Sequence, residues 1–479
     1  MSSDAQGFRA RPTRDRSVFA RRLVGTIVVL AVIAGGFAFA SVMQGPRVNG
    51  GEIDALRATR LAGVELTLEV NQPVAAFDAD AVSVEPEADV TADADDRTIT
   101  VTFDEPLDYA TEYTMRVPGV VGAYQGVPST LEYRFQTPDE YAYTLQRRSD
   151  VGEADIVQRK ALGGSETEIV FSAPRIQEFA HVDDLVVAVT LDDDDTNGLF
   201  VTDVRQGEPQ EFGLLPGSLV RDLAASTTNP LAAFVLTTPE IDGARQYDNA
   251  LMSVDLAGVA EAEPTPVLGL DGAPLKVSAW AFVPGSASVV VQDFENSMFL
   301  IDLLGRQPAT PLGVHTEIRG FVPGTSDLVI ADPDRGALID LGDGTTTTLE
   351  LASADLAENV YSGRITMLDA ESRYLISLTS VRVEGGRNVL SSVLAEVDDS
   401  GELRQVFAPA AETSLIRGYC VSPNGRYVAV AASGEGGVPD GYSVDPGFTE
   451  TMTSIVEIAT SRTVMSLSGG FSDWCGTRG

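Results

Sequence analysis

Chemistry in this chain would have to come from few residue types. Histidine occurs only as His181 and His315, and neither stands in an HxH or HxxxH spacing that sets two imidazoles on one metal. No G-x-S-x-G, no phosphate-binding loop and no dinucleotide fingerprint occurs. Two histidines leave a Ser/His/Asp triad little to draw on. Acidic pairs of the glycosidase kind are too abundant to single one out. The sequence therefore offers no catalytic residue, no metal site and no cofactor. Asp193-x-Asp195-x-Asn197-Gly198 starts with the oxygen spacing of a calcium loop, but Val204 stands where such a loop needs its closing Glu. It reads as a hairpin turn with an acidic tip.

Two further sets of residues carry expectations. Cys420 and Cys475 are the only cysteines. An even pair outside the cell reads as a disulfide, with two separate buried thiols as the alternative. Insertions at 240–249 and 432–451 set glycine beside tyrosine, so Tyr247 and Tyr442 are candidate interaction-loop residues.

The elements that must position these groups are strands. One phrase recurs: an apolar strand, a Pro-Gly or Pro-Asn-Gly turn, a second strand, then a third with Asp near its end. It is clearest in AWAFVPGSASVVVQDFENSMFLIDL (279–303), RGFVPGTSDLVIADPDRGALIDL (319–341) and RGYCVSPNGRYVAVAAS (417–433). Six copies span about 174–212, 219–269, 276–313, 317–351, 360–409 and 414–468, a period that suits four-stranded β-propeller blades. Strands at 141–148, 155–162 and 167–173 lack an innermost partner, and 469–475 is one strand with nothing after it. Joined, they predict a seventh blade that closes the ring. Closure would bring Cys420 beside Cys475, each at the end of an innermost strand. Ahead of this, Ile99, Val101 and Phe103 alternate with threonines, and Tyr113, Met115 and Val117 repeat the period of two. A β-sandwich is expected there.

Residues 23–43 carry no charge and follow Arg14, Arg16, Arg21 and Arg22. They read as a transmembrane signal-anchor helix with a cytoplasmic N-terminus, with a cleaved signal peptide as the alternative. The expected organisation is a basic tail (1–22), the anchor (23–43), a β-sandwich (48–139) and a propeller (140–479). The formal charge is −37, and residues 1–47 are net basic, so the remainder is more acidic still. Such a surface repels nucleic acid.

Two resemblances follow from quoted text. Asn71-Gln72-Pro73-Val74, Pro106-Leu107, Thr111-Glu112-Tyr113-Thr114 and Phe135-Gln136-Thr137 resemble the bacterial Ig-like domain of the SbsA type over about 60–138. That implies a spacer or presentation module with no catalytic residues. Ser422-Pro423-Asn424-Gly425-Arg426-Tyr427 resembles TolB-like and WD40-like propellers of bacterial envelopes over 141–475. The fold expected is thus all-β: a transmembrane helix, an Ig-like β-sandwich and a seven-bladed β-propeller. The function expected is a membrane-anchored, extracellular scaffold binding another envelope protein or a glycan. The alternative is a hydrolase- or lyase-type propeller enzyme working in the central funnel, and a mechanical spacer ranks third.

Overall fold

The computed structural model describes residues 15–42, 45–148, 152–205, 207–258, 262–434, 437–472 and 474. Its contacts divide the chain into two compact units. Unit 1 holds the chain up to Ile53 with Glu65–Thr102 and Thr114–Arg134, and unit 2 holds Asp54–Val64, Phe103–Tyr113 and everything from Phe135.

Unit 1 is built on two four-stranded sheets. One orders Val48–Ile53, Val64–Val70, Thr98–Phe103 and Val90–Asp95. In the other, Glu112–Gly122 pairs with Val74–Ala76, Ser83–Glu85 and Gln125–Gln136. The period of two expected for the core is realised: Ile99, Val101, Phe103, Met115 and Val117 are all fully buried.

The N-terminal helix, Asp15–Val42, corrects the membrane expectation for 23–43. Among the described residues, no helix is long and apolar enough to cross a membrane. The single-pass topology, the membrane-anchored scaffold and the membrane-linked partner are therefore not carried forward.

Among its described residues, unit 2 contains seven antiparallel sheets of three or four strands in chain order, besides a two-stranded hairpin of Glu240–Ile241 and Ala244–Arg245. Sheet I holds Tyr141–Gln146, Asp155–Ala161 and Glu168–Ala173. Sheets II to VII have four strands each, and begin with Ile176–Val182, Leu219–Ala225, Ala279–Phe282, Glu317–Phe321, Val360–Met367 and Leu415–Val421. Each is a meander, so every strand pairs with its neighbours in sequence. The apolar core lies between consecutive sheets. Val189 and Val201 of sheet II share a buried cluster with Phe234 and Val254 of sheet III, and Ala142 of sheet I shares one with Ile455 and Leu467 of sheet VII.

The expectation of a closed seven-bladed propeller is corrected here. No sheet among the described residues closes on itself, and sheet I has three strands rather than four. Among the described residues, the C-terminal run forms no strand in it. It reaches sheet I through an isolated bridge, in which Leu145 N and O bond Gly470 O and N at 2.9 and 3.0 Å. Gly469 turns the backbone there at φ +94°, which ends the ladder after one pair.

The recurring residues have local explanations. The strand-end aspartates are turn formers: Asp203, Asp255, Asp302, Asp340 and Asp398 each accept the N–H two residues on, at 2.7 to 3.1 Å. The Ser400 hydroxyl and the Glu402 N–H hold the Asp398 carboxyl below the usual range. At Asp302, partial burial pushes the other way but is outweighed by the N–H groups of Leu304 and Arg306. A depressed carboxylate stabilises the fold fully above the ordinary value of about 3.9, and that contribution is lost as pH falls through the folded value. Urea midpoints should stay flat from pH 7 to 5 and drop below pH 4, and Asp398→Asn should shrink that drop. An unchanged acid limb in the variant would count against the carboxylate's role.

The glycines of the Pro-Gly turns carry the other half of the phrase. Gly285, Gly324 and Gly425 all sit at φ of +71 to +77°. They also receive the segments that unit 2 takes from early in the chain. A Cβ on Gly324 would fall 2.5 Å from Pro106 Cγ, and Ala62 N donates to Gly324 O at 2.9 Å. Asn424 Nδ2 donates to Leu107 O, Arg426 pairs with Asp108 at 3.1 Å, and Tyr427 stacks on Tyr109.

Candidate ligand cavity

The first strand of most sheets in unit 2 carries the same defect. Against the second strand, the register slips at 176/178, 221/224, 318/320, 362/365 and 416/418. A β-bulge leaves its extra residue outside the ladder and re-aims its side chain. The residues so released include Gln177 in sheet II, Arg319 in V, Arg364 in VI and Arg417 in VII. Sheet II satisfies its own: Gln177 donates to Val220 O at 2.7 Å and accepts from Asn197 at 3.1 Å. In sheet III, Arg221 is neutralised by the adjacent Asp222.

Arg364 and Arg417 differ. Among the described residues neither has a carboxylate partner, in a chain with 70 acidic and 33 basic side chains. The Arg417 guanidinium lies 3.8 Å from the centre of the Phe448 ring, and its Nε donates to Ser433 Oγ at 2.6 Å. Burial weakens its hold on its proton, as expected of a cation without a counterion. Arg364 stands over Tyr419 at 6.0 Å. The Tyr419 hydroxyl, 2.8 Å from Arg364 O, ties that bulge to sheet VII. Burial pushes its pKa up to about 12, which makes it a neutral strut and not a proton acceptor.

These side chains line a cavity of about 540 Å³ with Asp445, Phe448 and Ser472. Ser472 is 8 % exposed and its buried Oγ has no hydrogen-bond partner. A smaller cavity of about 140 Å³ shares Arg364, Tyr419 and Cys420 and adds Arg60, Arg319 and Trp474. The cavity thus brings together two guanidiniums, an unpaired hydroxyl, aromatic rings and the Asp445 carboxylate.

The residues singled out in the sequence lie elsewhere or play other parts. Tyr442 is 4 % exposed, with its hydroxyl bonded to Asp155 and Arg147 stacked 3.9 Å over its ring. Tyr247 is half-buried against the core between sheets II and III. Cys420 lines both cavities, with Sγ 3.8 Å from Ser472 O. Cys420 is disulfide-bonded and no cysteine is free, while Cys475 lies outside the described residues. His181 stacks on Tyr143, and His315 Nδ1 lies 3.1 Å from Asp332, so the two serve different sheets. Asp192 bonds Asp194 N, Thr196 N and Thr196 Oγ1 across the acidic turn, which closes it as a hairpin. Among the described residues, no group of three or more His, Cys, Asp or Glu side chains is placed to hold a metal ion. The bulge arginines were missed. Their signal was present in the repeat, where Arg-Gly or Gly-Arg opens the copies at 319, 363 and 417.

No family model and no curated protein matches the chain. Solved structures do, at low identity. TolB from Acinetobacter baumannii is 12 % identical over 76 % of this chain and 79 % of its own, with a TM-score of 0.32. An oligogalacturonate lyase in complex with manganese is 11 % identical over 77 % and 96 %, at 0.39. A puromycin hydrolase is 15 % identical over 69 % and 52 %, at 0.38. These likenesses are distant. They extend to a β-rich chain and stop short of an Ig-like domain followed by a propeller.

Proposed function

We propose that unit 2 handles a small anionic substrate in the 540 Å³ cavity, which favours the hydrolase- or lyase-type alternative over a scaffold. One observation carries the reading: Arg364 and Arg417, from adjacent sheets, face this cavity without carboxylate partners in a chain of net charge −37. A scaffold reading calls for an exposed aromatic loop face, and Tyr442 is buried instead. Arg364 and Arg417 would hold the acid group and stabilise charge that develops next to it. Asp445 is the carboxylate on the cavity wall.

Isothermal titration of the full chain with inorganic phosphate, citrate and acetate tests this reading. At least one anion should bind, and Arg364→Gln or Arg417→Gln should weaken it by about 10- to 100-fold, the worth of a charged hydrogen bond. Absence of binding to all three, or variants that bind like the parent, sinks the proposal.

The paired sheets of unit 1 support an SbsA-type Ig-like module, and the Ser422-Pro423-Asn424-Gly425 turn supports a TolB-like repeat.

A further inference from the structure

We infer that the ligand carries two acid groups, one held by Arg364 and Arg417 in the larger cavity and the other by Arg319 in the smaller; this rests on the anionic-substrate reading above. The two cavities share Arg364, Tyr419 and Cys420, so Arg364 stands between them. The smaller one is lined by three arginines and no carboxylate among its described residues. In so acidic a chain, that composition leaves the described wall itself without a carboxylate.

Each arginine there arrives differently. Arg319 is the bulged residue of sheet V, and among the described residues it pairs only with Glu317, at 2.7 Å, both side chains more than 40 % exposed. A solvent-screened pair of that kind is weak, so a ligand acid displaces it at little cost. Arg60 comes from Asp54–Val64 and is 9 % exposed. Its Nη1 donates to Thr227 O, its contact to Glu140 is a loose 3.7 Å, and its buried Nε has no hydrogen-bond partner. The unsatisfied Nε leaves this guanidinium with a donor to spare. Phe321, Tyr419 and Trp474 supply apolar wall, which suits the carbon spacer between two acid groups.

The test is titration of the full chain with α,ω-dicarboxylates from succinate to suberate, each against its monomethyl ester. One chain length should bind at least tenfold tighter than its ester. Arg319→Gln should erase that advantage by weakening the diacid at least tenfold more than its ester, in protein whose melting shows it folded. Arg364→Gln should weaken diacid and ester alike. Arg60→Gln is the second probe, and should also narrow the diacid-to-ester ratio in protein whose melting shows it folded. Equal affinity for diacid and ester at every length, or an unchanged ratio in Arg319→Gln, overturns the two-acid inference while the anionic-substrate reading stands. Failure of every diacid and ester to bind overturns both.

Discussion

Replacing Arg147 by Gln should cost unit 2 about 3–5 kcal/mol of unfolding free energy, the usual penalty for removing one partner of a buried ion pair. Arg147 and Asp440 are each 2 % exposed in their side chains and lie 2.5 Å apart. The guanidinium also donates to Ile176 O, Gln177 O and Asp445 O, and is stacked between the rings of Tyr442 at 3.9 Å and Phe471 at 4.3 Å. It therefore joins sheet I, sheet II, the 437–448 loop and the C-terminal run. The substitution strands a carboxylate and three carbonyls at once. Chemical denaturation should show the loss, and Asp440→Asn should share most of it, so that the double variant costs less than the two singles summed. Additive costs would mean that the two groups act independently and that the network reading is wrong.

Gly469→Ala is the second large effect, at about 3 kcal/mol. Two terms combine. A side chain at φ +94° is strained by roughly 1–2 kcal/mol. The new Cβ would also fall 2.7 Å from the Leu145 carbonyl carbon and 3.0 Å from Gln146 N, backbone that cannot swing aside. Overpacking of that kind costs about 1–3 kcal/mol. The Leu145–Gly470 bridge should open, freeing Trp474, whose Nε1 donates to Tyr141 O. A red-shifted tryptophan emission at denaturant concentrations below the main transition is the expected signature. Parent-like emission and midpoint would show that the bridge contributes nothing to the closing contact.

Local patterns were legible wherever the physics is local. Alternation at 99–103 and 113–117 marks a buried face because period two is a property of the strand itself. Strand-end aspartates and Pro-Gly turns announced hairpins because an Asx bond or a positive φ spans only a few residues. What stayed hidden depends on partners far along the chain. Tyr442 looked like a contact residue because nothing near it reveals the Asp155 carboxylate 287 positions away. Segments 54–64 and 103–113 looked like one sandwich with their neighbours, since their seats on Gly324 and Asn424 exist only after folding. The bulge arginines fell between the two cases. Their text recurs, but a bulge is a mismatch between two strands and leaves no mark on the alternation of either one.

The chain passes from one unit to the other at 53/54, 64/65, 102/103, 113/114 and 134/135. No single cut separates the two. Gene fusion and domain shuffling work by joining contiguous pieces, and a piece beginning near 140 would arrive without Leu61, Pro106 and Leu107. The seven sheets are thus tied to the early segments 54–64 and 103–113, where Leu61 and Pro106 fill the space beside Gly285 and Gly324.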